Sequence, residues 1–411
     1  MVDSLITLGI GKLELDWSKS YLLSDFSKLF KDSDKRDLLC YYYDDYEEDY
    51  KTTYKSGYIK KLSQIKRRLE LLGYTLPSIK VMYEELILNS NFYTPNSVKL
   101  SYEDFYSIFY NLDISKIDVT KDPFYDFGSF EFGEFASYLF KENLALLDPV
   151  REKVGIENND IPSDLVWFIE SLENLDPFII LRILVENSKN SDLDVYWICP
   201  ASFTNDDLSF DIPEAEKIMI VTEGTSDLGI IKRTIDTLYN DISDLFMYID
   251  MEDNYPFTGN GSLRNFCIGL NRIRIQNNVI VLFDNDAAGC GSYYDVKDKC
   301  EDSNFLILKL PDYFEFNAVD TVGPQGVTKE NINGRAVAIE CFLDFNSVNI
   351  PTNIRWNNYV EKQKIYQGAL ENKEMYTKAF YSSCLTDGTY DTSKLNFLID
   401  YILSSWINRC V

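Results

Sequence analysis

An α/β fold is predicted for the middle of this chain, with about four parallel strands and mostly helical regions on either side. Three observations predict it. From about Glu216, short runs of strand character alternate with segments of helical period, as βα units do. Those strand runs are apolar throughout rather than alternating, which suits strands covered on both faces. Elsewhere apolar residues recur mainly three and four apart, the period of a helix with one buried face. The expected divisions are a mostly helical 1–205 with a short N-terminal hairpin, an α/β domain over 206–325, and a helical cap over 326–411.

The elements follow in order. "SLITLGIGKLELDW" (4–17) reads as two short strands about a Gly-Ile-Gly turn. In "YIKKLSQIKRRLELLGY", Leu62, Ile65, Leu69 and Leu72 fall at helical spacing and Gly73 suits a C-cap. "SIKVMYEELIL" and "SYEDFYSIFYNL" continue as helices, the second opened by Ser101 with acids in its first turn. Helical character persists through "EFGEFASYLFKENLALLD" and "PSDLVWFIESLENLDPFIILRILVEN", and 187–197 reads as a turn-rich connection. "KIMIVT" (217–222) is then a strand, followed by a helix with Leu228, Ile231, Ile235 and Leu238 on one face. "LFMYIDM" (245–251) is a second strand and "SLRNFCIGLNRIRI" a helix with Ser262 as N-cap. "NVIVLF" (278–283) is a third strand, and "NFLILKL" (304–310) a fourth.

Composition narrows the chemistry. A chain of 411 residues with 45% hydrophobic and 15% aromatic residues is long enough and apolar enough for a sizeable core. No apolar run approaches a bilayer span, and the N-terminus has no basic start of an export signal, so a cytoplasmic protein is expected. The eight cysteines include no CxxC pair, and no histidine is present to complete a mixed zinc site. The absence of histidine also excludes Ser-His-Asp and Cys-His nucleophiles. Carboxylates and hard cations such as Mg²⁺ remain. A formal charge of −26 repels a polyanion, so a phosphate substrate would need a local basic track or bound metal. The same acidity also serves solubility.

In a parallel sheet, ligands bind at the carboxyl ends of the strands. Glu223 follows the first strand, Asp250 ends the second, and Asp284 and Asp286 follow the third; Asp227 lies one helical turn beyond Glu223. Like charges so placed raise one another's pKa unless a cation neutralises them. One or two Mg²⁺ (or Mn²⁺) ions would do so, and paired metals stabilise the oxygens of a phosphoryl displacement. Acids after strands also serve as helix N-caps or solvated loop residues, and that alternative stays open for each of them.

"IVTEGTSD" (220–227) and "IVLFDNDAAG" (280–289) together resemble a Toprim domain, a Rossmann-like catalytic module, over about 215–325. The resemblance implies metal ligation by Glu223, Asp284 and Asp286, a sharp phosphate-approaching turn at Gly224, and assisting acids at Asp227 and Asp250, as in OLD-like nucleases. "SLITLGIGKLELDWSKS", "NINGRAVAIECFL" and "IRWNNYVEKQKIYQGALENK" resemble the bacterial HEPN/Toprim-associated proteins, which extends the likeness over nearly the whole chain. It implies a role in defence against phage or other foreign nucleic acid. HEPN ribonucleases use an Arg-x4-6-His motif, and a chain without histidine departs from it.

Nucleic acid would need cationic contacts. Lys60, Lys61, Lys66, Arg67 and Arg68 are expected on one helix face, and Arg264, Arg272 and Arg274 on the helix before the third strand. Solvated charges offsetting an acidic surface are the plainer reading. Lys309, ending the fourth strand, is a candidate for transition-state charge, and "EDNYPFTGNG" for a backbone phosphate cradle or an ordinary turn. The expected function is a Mg²⁺-dependent nuclease acting on DNA or RNA. The alternative is a non-catalytic module acting through partner proteins. A defence-system partner and homo-oligomerisation are open, and no membrane is expected.

Overall fold

Residues 5–11, 13–19, 26–44, 49–89, 101–116, 175–198, 212–249, 260–300, 304–324, 326–361 and 363–409 are described by the computed structural model. The chain divides into two units, Met1–Asp211 with Cys410–Val411, and Ile212–Arg409. Among the described residues no helix is long and apolar enough to cross a membrane.

The first unit is built on an antiparallel sheet. Strands β1 (Leu5–Ile10) and β2 (Leu13–Lys19) form the expected hairpin, turning at Gly11 with φ +57. With β3 (Lys35–Asp44), β4 (Asp49–Lys61) and β5 (Asp194–Ile198) they make five strands in the order β2-β1-β5-β4-β3. Strands β3, β4 and β5 add to the expected hairpin and helices, which share the described residues with them. Tyr and Thr favour strands in "DLLCYYYD" and "DYKTTYKSGYIKK", but interspersed charges hide the alternation. The turn-rich reading of 187–197 gives way at β5, whose Trp197 is wholly buried against Phe30 and Tyr58, ring centroids 6.2 and 5.8 Å away.

Helix Leu62–Leu71 starts where β4 ends and buries Leu62, Ile65 and Leu69, as their spacing predicts. Helices Leu76–Asn89 and Tyr102–Asn111 follow, the latter capped by Ser101, whose Oγ accepts from the Asp104 N–H at 3.2 Å. Helix Pro177–Leu184 contributes Phe178, Ile179 and Leu181 to the same core. The helices expected in 131–148 and 162–174 lie outside the described residues.

The second unit holds a parallel sheet of four strands, β6 (Ile218–Thr222), β7 (Phe246–Ile249), β8 (Asn278–Phe283) and β10 (Phe305–Lys309), in the order β10-β8-β6-β7. Its middle strands are covered on both faces: Val221, Val279, Val281 and Phe283 join one core, and the intervening Ile220, Ile280 and Leu282 are buried as well. Helix Thr225–Leu238 follows β6, helix Asn260–Arg272 precedes β8, and helix Ala287–Lys297 follows it. The helix before β8 begins two residues ahead of the expected cap at Ser262.

The C-terminal segment belongs to this unit and is not wholly helical as expected. It supplies β11 (Val319–Gly323), β12 (Gly326–Glu330), β14 (Ile354–Val360) and β15 (Ile365–Leu370) to a second sheet ordered β12-β11-β14-β15. Exposed Asn and charged residues on both faces of β14 remove the one-sided pattern that marks a half-buried strand. Two-residue strands β9 (Asn285–Asp286) and β13 (Ala336–Val337) pair antiparallel and join this segment to the loop after β8. Helices Lys373–Ser382 and Ser393–Arg409 complete the unit, the second packed on helix Thr225–Leu238 and on β10.

The turn after β8 is tight. A Cβ at Gly289 would stand 2.3 Å from the carbonyl oxygen of Asp284, so only glycine fits unless backbone moves. Gly289→Ala is therefore expected to destabilise the protein by about 1–3 kcal/mol, as overpacking against backbone does. Urea denaturation, comparing the transition midpoint with that of wild type, checks it.

Candidate functional site

Buried strands need apolar residues, and the first polar positions after them fall at the carboxyl edge of the sheet. Because β6 and β8 are hydrogen-bonded neighbours, with Thr222 opposite Leu282, Glu223 and Asp284 leave the sheet side by side. Glu223 is half-buried and its Oε2 is shielded from solvent. Gly224 is the N-cap of helix Thr225–Leu238, and Thr222 Oγ1 donates to its carbonyl at 3.0 Å. The Gly224 N–H donates in turn to Asp227 Oδ2 at 3.1 Å, so Asp227 reaches back to cap its own helix.

Asp286 caps the next helix. Its Oδ1 accepts from the Gly289 N–H at 2.7 Å and its Oδ2 from Gln367 Nε2, also at 2.7 Å. Burial raises its pKa, and the Gly289 and Ala288 N–H groups pull it back. Asn285, between the two aspartates, is wholly buried; its Nδ2 donates to Asp312 Oδ1 at 2.7 Å. Lys309 Nζ donates to Asn285 Oδ1 at 2.9 Å and lies 3.2 Å from Asp312. Lys309 is at the expected edge, but its ammonium is tied to Asn285 and Asp312.

Electrostatics join these acids. Burial first, then the charges of Asp227, Glu223, Asp286 and Glu340, push the Asp284 carboxyl well above the usual carboxylate range. Burial and Glu340 push Asp227 up to about 7, against the Gly224 N–H, Lys373 and Ser226. Glu340, in the short helix Ile339–Phe342, is 2% exposed and is bridged by Lys373 Nζ at 3.3 Å. Five carboxylates thus influence one another here, and the Lys373 ammonium offsets part of their charge.

The donor set fits a hard divalent cation in kind: oxygen only, strongly anionic, and short of counter-charge. It is not a finished chelate. Among the described residues no three His, Cys, Asp or Glu side chains are gathered closely enough to hold a metal ion. Asp250 and nearly all of "EDNYPFTGNG" lie outside the described residues, and Asn260 and Gly261 open the helix that follows.

The expected basic tracks are not brought together. Lys60 and Lys61 end strand β4 instead of lying on the helix; Lys60 is buried and bridges Asp34 at 3.2 Å, and Lys61 pairs with Asp194. Lys66 bridges Glu186 at 2.8 Å, and Arg67 is half-buried. Arg68 is wholly buried, its Nε donating to the Lys28 carbonyl, because its position faces the core with Leu69 and Ile65. Arg264 pairs with Asp295 at 3.4 Å. Arg272 and Arg274 are exposed at the end of a helix that leads into the start of β8, which is the edge opposite the carboxylates. Nearby Asn277 confirms that edge by donating to the carbonyl of Glu214, just before β6, at 3.0 Å.

Three residues at the site escaped sequence reasoning. Glu340 had a signal, a lone acid inside the apolar run "AVAIECFL". Lys373 had a weaker one, a cation opening a helix. Gln367 had none, since its partner is 81 residues away.

Residues 3–200 match the family model described as HEPN/Toprim N-terminal domain 1, which supports a HEPN/Toprim-associated family. The match ends before the unit that carries the carboxylates. No curated protein and no solved structure matches the chain.

Asp227 gives a pH test. Its folded pKa, about 7, lies above the ordinary aspartate value of 3.8, so the folded state holds the proton more tightly. Its contribution is neutral below that value and increasingly destabilising as pH rises to about 7. Asp227→Asn keeps an oxygen for the Gly224 N–H and removes the charge. In EDTA its melting temperature should fall less than that of wild type between pH 4 and 8, as read by differential scanning calorimetry.

Proposed function

We propose that this chain is a divalent-cation-dependent nuclease that hydrolyses phosphodiester bonds of DNA or RNA, with residues 206–325 serving as a Toprim-type catalytic module. The observation that carries the reading is the crowding of Glu223, Asp227, Asp286 and Glu340 around Asp284 at the carboxyl edge of the parallel sheet. Such an arrangement of half-buried and buried like charges is costly for a metal-free protein and useful for one that binds a cation. The Toprim-like motifs at 220–227 and 280–289, and the family description matched by residues 3–200, support the same reading.

Glu223, Asp284 and Asp286 would hold Mg²⁺ or Mn²⁺, one ion or two, with Asp227 and Asp250 assisting. A cation so held lowers the pKa of bound water and stabilises developing charge on phosphate oxygens. The chain's own groups do the positioning. The Gly289 N–H and Gln367 fix the rotamer of Asp286, and the Thr225–Leu238 helix turns its positive N-terminal end toward the same edge, where phosphate is favoured. With no histidine, the Arg-x4-6-His chemistry of HEPN ribonucleases is absent, so hydrolysis would rest on the carboxylates alone. Defence against foreign nucleic acid in a bacterial cytoplasm, with a partner protein as trigger, is the setting the resemblance implies.

A specific observation favours the alternative of a non-catalytic module: both oxygens of Asp286 already have protein donors, and no three described side chains chelate as they stand. One assay separates the two. Purified protein is incubated with plasmid, single-stranded DNA and tRNA in Mg²⁺ or Mn²⁺, beside Glu223→Gln and Asp284→Asn. Cleavage by wild type, reduced about a hundredfold or more in each variant, is expected if these residues hold the metal. Equal cleavage by all three proteins, or none on any substrate with either metal, would sink the nuclease reading.

A further inference from the structure

Lys373 stands where local helix chemistry disfavours a cation. It is the first residue of helix Lys373–Ser382, and positive charge at a helix N-terminus opposes the macrodipole. What it gains is Glu340, 3.3 Å away. The two partners differ in a way that matters: the Glu340 side chain is 3% exposed and the Lys373 side chain 57% exposed. A buried carboxylate without a counter-charge is strongly disfavoured, so the anchored member of the pair needs the surface member.

The pair is not isolated from the strand-end acids. Segment Ile339–Phe342 packs on helix Thr225–Leu238 and on helix Lys373–Ser382, so Glu340 is held between Asp227's helix and Lys373's. Glu340 pushes Asp227 up, and Lys373 in turn feels Glu340, Asp227 and Asp284.

We propose that Lys373 is the resident counter-ion of the carboxylate cluster, tethered there through Glu340, and that it sets how tightly the cluster takes a divalent cation. The proposal rests on the cation-binding reading above. An ammonium at the surface of an anionic cluster occupies part of the potential that an incoming cation needs. Removing it leaves the cluster more anionic, less stable when empty and more avid for a divalent ion. Lys373 is then a positioning residue that balances charge, with no role assigned at the reacting atoms.

The experiment uses the full chain with Lys373→Met, which keeps the aliphatic stem, and Lys373→Arg, which keeps the charge. Mn²⁺ titration calorimetry and thermal melts in EDTA and in Mn²⁺ are compared with wild type. Lys373→Met should bind Mn²⁺ about fivefold tighter or more, a typical magnitude for coupled sites. It should melt lower than Lys373→Arg in EDTA, with the gap narrowing in Mn²⁺. Equal Mn²⁺ affinity of Lys373→Met and wild type overturns the counter-ion role, while metal-dependent cleavage by wild type would leave the nuclease reading standing. If no protein binds Mn²⁺, the nuclease reading falls by itself. The EDTA melts then decide the counter-ion: matching melts of Lys373→Met and Lys373→Arg reject it, and a lower melt for Lys373→Met upholds it.

Discussion

Adjacent parallel strands run about 4.8 Å apart, and acids placed just beyond the ends of neighbouring strands cannot avoid one another. That constraint governs the second unit. Glu223 and Asp284 follow the hydrogen-bonded strands β6 and β8, which are buried on both faces, and are themselves half-buried at the strand ends. Much of what surrounds them reads as a response to this crowding. Asp227 takes a backbone N–H from Gly224, Asp286 takes one from Gly289 and an amide from Gln367, and Glu340 takes the ammonium of Lys373.

The C-terminal segment is therefore part of the site's construction. Its β13 pairs with the Asn285–Asp286 turn, its β15 carries Gln367 to Asp286, and its helix Lys373–Ser382 brings the counter-charge. Other contacts bind the same segment to the sheet layer. Arg233 donates to the Ser383 carbonyl at 2.8 Å and lies over the rings of Phe380 and Tyr381. Tyr239 Oη lies within reach of Asn396 and Asp400. Loosening these contacts would unbalance the charges at the strand ends as well as expose core.

Cations elsewhere serve structure. Lys60 and Arg68 are buried in the first unit with partners in that unit, and Lys309 braces Asn285 and Asp312. In a chain with 66 acidic and 40 basic side chains, a cation is seldom far from a carboxylate, so pairing within the protein is the common outcome. A polyanion approaching this surface would depend on helix termini and bound cations more than on a basic track.

Short-range patterns were legible in the residues alone. The four parallel strands and the helices between them announce themselves because buried strands and amphipathic helices have fixed periods, and those periods survive in one dimension. The placement of Glu223, Gly224, Asp284 and Asp286 at strand ends follows from the same reading, since polar residues after an apolar strand can only lie at its edge. Strands β3 and β4 were missed because interspersed charges hide their alternation in the sequence, and β14 because exposure on both of its faces erases it. Tertiary structure alone decided that Arg68 points into a core and that Arg272 and Arg274 sit at the wrong edge of the sheet. It alone decided, too, that Glu340, Gln367 and Lys373 meet acids from more than thirty residues away. Side-chain direction and long-range charge balance depend on which elements pack together, and no local period encodes that.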